Sequence, residues 1–191
     1  MSRFVLMTVG KTHSGKTTFA RSLERELPNA VVIDQDHHAG FLAAYYKPLL
    51  PQQHSNALKH AITQTIVEYA IAETDKHVLL CNSNLDYSAR KRLLDPFHAH
   101  GFSSILVYFD LPSHLLHERV AASGRSAALG IEVSFDDVLD RQEARYDNGE
   151  WTAPGRDETH ARFVIDDPAQ TGHVKQRILR IIQASADNHP S

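Results

Sequence analysis

Residues 10–17 read Gly-Lys-Thr-His-Ser-Gly-Lys-Thr and fill every fixed position of the pattern Gly-x-x-x-x-Gly-Lys-Ser/Thr. No other stretch narrows the possible folds so far, because such a loop works only between the end of a buried strand and the start of a helix. There the backbone N–H groups of the first helical turn and the positive end of the helix dipole converge on one anion. The flanks comply: Phe4-Val5-Leu6-Met7-Thr8-Val9 is a short apolar run, and Thr18 to Leu27 is helix-prone. Gly10 permits the sharp exit from the strand, and Gly15 lets backbone approach phosphates with no Cβ in the way. Lys11, Thr12, His13 and Ser14 complete the cradle, and Thr18 continues into the helix. Lys16 sets a compact cation on the outer phosphates, and the Thr17 hydroxyl is a ligand for Mg²⁺. The expected ligand is a nucleoside triphosphate with Mg²⁺, and the loop itself does not choose between ATP and GTP.

Further along, strand-like runs alternate with helical ones. Ala30 to Ile33 is a second apolar strand ending at Asp34-Gln35-Asp36, followed by His77 to Cys81, Ser104 to Phe109 and Arg162 to Ile165. These runs are short and almost continuously apolar, as parallel strands covered on both faces are. Between them, Ser55 to Glu73 repeats apolar residues near every 3.6 positions, Ser88 to Leu94 is a shorter helix that Asp95-Pro96 stops or restarts, and Pro112 to Ala122 opens on a favourable proline. Ser134 with Asp137 makes a near-capping box, and Val174 to Ala186 is the last helix. Alternation of this kind predicts a three-layer α/β/α sandwich around a parallel sheet with right-handed crossovers.

A chain of 191 residues suits one domain, residues 1–191, and a domain of that size buries roughly 70% of its extended surface. No apolar stretch reaches the roughly 20 residues of a membrane helix. A single cysteine, Cys81, excludes an internal disulfide and, with no secretory leader after Met1-Ser2-Arg3, places the protein in the cytoplasm. A net charge of −3 with scattered basic residues argues against long nucleic acid as a partner. The 13 histidines, His114/His117 and His98/His100 among them, fall in no recognisable metal-ligand spacing and read as scattered surface residues. The oligomeric state leaves no mark on the sequence.

With the loop, the Asp34/Asp36 strand end and an arginine-bearing later segment together, the chain resembles the small P-loop kinases, in particular the polynucleotide-kinase-like and zeta-toxin-like ATP-binding proteins. The resemblance rests on Gly10–Thr17, Asp36, Asn82-Ser83-Asn84-Leu85 after the third strand, Arg119, Arg125 and the Arg141-Gln142 pair. It implies a P-loop NTPase fold with a five-stranded sheet of order 2-3-1-4-5 and a helical lid over about residues 119–150. Ser123-Gly124 and Leu129-Gly130 supply flexible joints for that lid. Two positions depart from the family. His13 stands where relatives often carry glycine, and Cys81-Asn82 replaces the third-strand aspartate that commonly holds a magnesium-bound water.

The resemblance implies ATP-dependent transfer of the γ-phosphoryl group to a hydroxyl. Lys16, Asp36 and Arg125 are the candidate catalytic residues, with Asp36 as base. Arg119, Arg125 and Arg141 are candidate phosphate-gripping residues, because a guanidinium forks onto phosphate oxygens. Thr17 and Asp34 are the candidate magnesium ligands. Each assignment has a plainer counterpart: one of the two aspartates caps the next helix, and the arginines are solvated helix-face residues. Arg90-Lys91-Arg92 is expected to form such a solvated face.

The acceptor stretch from Asp36 to Lys76 contains no arginine but holds His37, His38, Phe41, Tyr45 and Tyr46. A neutral hydroxyl compound fits that surface better than a nucleoside monophosphate, whose own phosphate demands strong cations. Phe41 and Tyr45, four apart, serve equally as helix core. His13 faces either the γ-phosphate side or solvent, Asn84 binds either the acceptor or its own loop, and Trp151 anchors a turn-rich segment by packing. Two other functions share the motifs: a nucleotide-binding regulatory switch with little transfer, and a kinase of nucleic-acid 5′ ends or sugar-nucleotides.

Overall fold

The computed structural model describes residues 2–51, 57–123 and 134–187. Its elements run β1 (Phe4–Gly10), α1 (Lys16–Glu26), β2 (Ala30–Asp34), α2 (Gln35–Tyr45), α3 (Ala57–Glu73), β3 (His77–Cys81), α4 (Tyr87–Ala99), β4 (Ser103–Phe109), α5 (Ser113–Ala122), α6 (Phe135–Asp147), β5 (Ala161–Ile165) and α7 (Thr171–Asp187). One-turn 3₁₀ helices at Lys47–Leu49 and Pro168–Gln170 join α2 to α3 and β5 to α7.

The sheet is parallel throughout, in the order β2-β3-β1-β4-β5. Leu6 of β1 stands level with Leu79 of β3 and Ile105 of β4. Because side chains alternate across a strand, β1 feeds two cores at once. Phe4 and Leu6 join Leu79 and Ile105 against Phe19 and Leu23 of α1 and Ile178 of α7. Val5, Met7 and Val9 join Leu80 and Leu106 against Val67 and Ile71 of α3 and Phe97 of α4. Both faces are covered, so the architecture is the expected α/β/α sandwich, a P-loop NTPase fold with the expected strand order.

Strand boundaries differ from the sequence reading by a residue or so, and the helices after β2 and β3 bring two corrections. The segment after β2 is helical at once: α2 begins at Gln35, capped by the Asp34 carboxylate, which accepts from the Asp36 N–H at 2.9 Å. Its mixed composition leaves its bounds unmarked in the sequence, since only Gln35, Ala39 and Leu42 are buried. Phe41 and Tyr45 lie on this helix but not in the core; they are 48% and 74% exposed and meet each other and Tyr46 at the surface.

Helix α4 neither stops nor restarts at Pro96; it carries the proline inside its last turns to Ala99. The missing N–H forfeits one hydrogen bond, but Leu94 and Phe97, both buried, anchor the helix on either side of it. The α6 start is as expected: Ser134 Oγ accepts from the Asp137 N–H while Asp137 accepts from Ser134.

Candidate active site

The phosphate loop leaves β1 at Gly10, whose φ is +151°. A Cβ there would come within 2.9 Å of Phe109 Cβ and carbonyl oxygen, so no larger residue fits without displacing β4. At the other end Gly15 is the residue before α1, with φ +98°, a left-handed conformation that glycine adopts without strain. No side chain caps α1, which leaves its N-terminus directed at the cleft.

Lys16 belongs to the first turn of α1. Its ammonium donates to the Lys11 carbonyl and, at 3.1 Å, to Ser14 Oγ. Burial pushes its pKa down to about 8, against the opposing pull of Cys81, Asp36 and Asp34. An ammonium held this way is a charge waiting for an anion.

Around the loop opens a cleft of about 540 Å³. Thr12, His13, Gly15, Lys16, Thr17 and Thr18 form its loop wall, and Asp34 and Asp36 enter from the β2–α2 junction. Asp34 is 4% exposed, and its second oxygen accepts from Thr17 Oγ at 3.4 Å. Asp36, two residues on, is exposed and borders the same cleft. The capping role thus belongs to Asp34. Thr17 and Asp34 are paired hard-oxygen donors, a set that fits Mg²⁺. Cys81, at the end of β3, places its sulfur 3.4 Å from Thr17 Oγ; burial raises its pKa, so it stays a thiol.

The far wall comes from α5 and α6. Arg119 Nη1 donates to the His13 carbonyl at 3.1 Å and lines the cleft. His13, at φ +58°, stacks edge-on against Phe135 with ring centres 4.8 Å apart. Gln142 accepts from the Thr12 N–H at 2.7 Å. Glu143 accepts from Lys11 Nζ at 3.5 Å and from Ser113 and His117. Burial would raise the Glu143 pKa, but the Ser113 and His117 hydrogen bonds and the Lys11 charge hold it below the usual value. Together with Asp140 and His117, it forms a group able to hold a metal ion.

Arg141 is exposed and donates to the Asp137 carbonyl within its own helix, so its neighbour Gln142 is the residue that reaches the loop. Arg125 lies outside the described residues, as do Gly124, Leu129 and Gly130. Asn84 is buried, and its amide donates to the Thr8 carbonyl of β1 at 2.8 Å and to the Asn82 carbonyl of its own loop at 3.4 Å. Trp151 packs partly buried against the second core with the Arg145 guanidinium 5.1 Å from its ring centre.

The largest correction concerns Arg90, expected on a solvated face and found with no exposed surface. It grips both Glu158 oxygens, at 2.7 and 3.0 Å, and the carbonyls of Asn84, Leu85 and Thr152. Nothing local distinguishes it from Lys91 and Arg92; its partner lies 68 positions away.

The AAA_33 family, described as an AAA domain, matches residues 5–149, a span from β1 through the end of α6. The chain belongs to this family. The AAA_33 chain is also 56% identical over 36 residues to nicotinamide riboside kinase 1 of Mus musculus, a stretch spanning 19% of the chain and 18% of that protein. Its fold is similar over nearly its whole length to two solved structures. One is a sugar kinase from Janibacter sp. HTCC2649, with TM-score 0.61, 19% identity, and coverage of 96% of this chain and 95% of that one. The other is the tunicamycin resistance protein of Deinococcus radiodurans, with TM-score 0.58, 19% identity, and coverage of 95% and 96%. No helix among the described residues is long and apolar enough to cross a membrane.

Proposed function

We propose that the protein is a kinase that moves the γ-phosphoryl group of ATP·Mg²⁺ to a hydroxyl of a small molecule. The observation that carries this reading is that the loop lysine and two carboxylates, Asp34 and Asp36, open on one cleft. Asp36 takes the proton of the acceptor hydroxyl as its oxygen bonds to the γ-phosphorus. The bond from that phosphorus to the β–γ bridging oxygen breaks, and ADP departs. Lys16 exchanges its bonds within the loop for phosphate oxygens, and Arg119 stands beside the loop to share the equatorial charge, a role the family resemblance also gives to Arg125. Thr17 and Asp34 would hold the magnesium ion, which supplies further neutralisation of the phosphates when bound.

The similarity to a nicotinamide riboside kinase and a sugar kinase supports a hydroxyl acceptor of small size. Incubation with γ-labelled ATP and pooled hydroxyl compounds tests the reading, with label expected in an acceptor. Label released only as inorganic phosphate, across the whole pool, would overturn it. One observation favours a second reading, a nucleotide-dependent switch with slow turnover: the Cys81 thiol, and no carboxylate, stands beside Thr17 at the end of β3. Tight nucleotide binding without transfer would support that alternative.

A further inference from the structure

A second cavity, of about 410 Å³, adjoins the cleft and shares Asn82 and Ser83 with it. Its size lies within the range of about 300–1,000 Å³ usual for small-molecule sites. The first turn of α2 divides the two spaces: Asp34 and Asp36 face the cleft, and Gln35 between them faces the cavity. An acceptor seated in the cavity would meet the Asp36 side of the turn across the border that the two spaces share at Asn82 and Ser83.

Its lining has a definite chemistry. Trp151 offers an aromatic surface, and Gln35, Gln64 and Asn82 offer amides that donate and accept at once. Asn82 already donates to Gln35 at 2.7 Å, so these two amides are held in a fixed relation. Positive charge is scarce, for the Arg145 guanidinium over the Trp151 ring is paired with Glu150 at 3.2 Å. Of the three successive basic residues in α4, Arg90 is consumed by Glu158, Lys91 pairs with Asp95 at 2.8 Å, and only Arg92 borders the cavity. His60 also borders it, and burial with the Lys59 charge lowers its pKa, so it adds no charge near neutrality. The N-terminus of α4 points here, but the Asp86 carboxylate already caps it through the Ala89 N–H at 2.6 Å. A carboxylate stands where an acceptor's anion would otherwise bind.

We infer that this cavity takes the acceptor, and that the acceptor is an uncharged polyhydroxylated ring, a sugar or ribosyl group, laid against Trp151. This deepens the kinase reading and rests on it for the word acceptor. A sugar ring presents C–H groups to an aromatic face and hydroxyls, each both donor and acceptor, to amides at its rim. Arg92 serves here as one more donor to hydroxyls. The two sources of such a ring, free sugars and nucleosides, share that chemistry.

Trp151 is the chain's one tryptophan, so its fluorescence reports the cavity alone. The test titrates the full chain with neutral aldoses and ribonucleosides in separate arms, and with matched sugar acids and sugar phosphates. A saturable emission change is expected in one neutral arm, which names the source, with the charged counterpart at least about tenfold weaker. Lys16→Ala should keep this response while losing transfer, so failure of the cavity assignment and failure of the kinase reading separate cleanly. Gln64→Leu should shift the neutral midpoint about tenfold, whereas Arg92→Gln, which keeps donors and drops the charge, should shift it by less than about twofold. Stronger binding of the sugar acids, or a tenfold loss in Arg92→Gln, overturns the neutral class; no saturable response in either neutral arm overturns the site.

Discussion

The phosphate loop reaches its place through one unbroken stretch, Gly10–Thr17, whereas the cavity beside it draws its walls from α2, α3, the loop after β3, α4 and the segment carrying Trp151. The two also differ in charge. Lys16, Arg119, Asp34 and Asp36 crowd the cleft, while the cavity is lined by amides with Arg92, His60 and the helix-capping Asp86. A contiguous loop carries its geometry with it, because its amides are fixed by local turns. A cavity assembled from distant segments depends on whatever clamps those segments together. Here that clamp is Arg90, which ties the loop after β3 to Glu158 and to the Thr152 carbonyl close by Trp151.

This contrast can be broken or sharpened by experiment. The largest effect is expected from Asp36→Asn, which should lower transfer by about 10²–10⁴ while leaving ATP affinity unchanged. Steady-state rates beside nucleotide calorimetry would show it, and an unimpaired rate would remove Asp36 from the chemistry. Lys16→Ala should lower transfer about 10²–10³-fold and weaken nucleotide binding in the same assays. If that variant also lost the Trp151 response, the two sites would not be separable.

Arg90→Ala should cost about 3–5 kcal/mol of stability in urea unfolding, because it strands the Glu158 carboxylate in the interior. Arg90→Met with Glu158→Leu should recover most of that loss yet leave the acceptor response weakened, with nucleotide binding intact. Equal loss at both sites would mean that the clamp supports the whole domain rather than the cavity.

The smallest effect is a proton count. Lys16 has a folded pKa of about 8 against about 10.5 in the unfolded chain, so between these values the unfolded state binds more protons. Its penalty on folding is in full force below pH 8 and eases as pH rises toward 10.5. Nucleotide phosphates restore the ammonium, so binding at pH 8.5 should take up protons, and binding at pH 6.5 should take up none at this lysine. Calorimetry in buffers of different ionisation enthalpy would detect the difference, and Lys16→Ala should abolish it.

Much of the fold was legible in advance because its strands announce themselves. A parallel strand covered on both faces must be apolar on both, and β3 stands at His77–Cys81 as the sequence indicates. Helix α2 was foreseen only as the helix that an aspartate caps, its bounds unmarked because little of it is buried. At Pro96 two buried neighbours outweighed a local stop signal. In the site, Asp34 and Asp36 were visible because they follow a strand whose end must face the crevice. Gln142 was flagged only through the family resemblance and Glu143 was missed, because they act on the loop from about 130 positions away.

The sequence by itself determined the anion cradle. Two glycines, a lysine and a threonine at fixed spacing force the turn from strand to helix whatever surrounds them, because the constraint is carried by local backbone angles and helix-end amides. Tertiary structure alone decided the fates of Arg90, Lys91 and Arg92. Successive helical residues point about 100° apart, so one is buried on Glu158, one pairs on the surface and one borders the cavity. Which direction meets a partner depends on where the crossovers bring distant segments, and no local pattern contains that information.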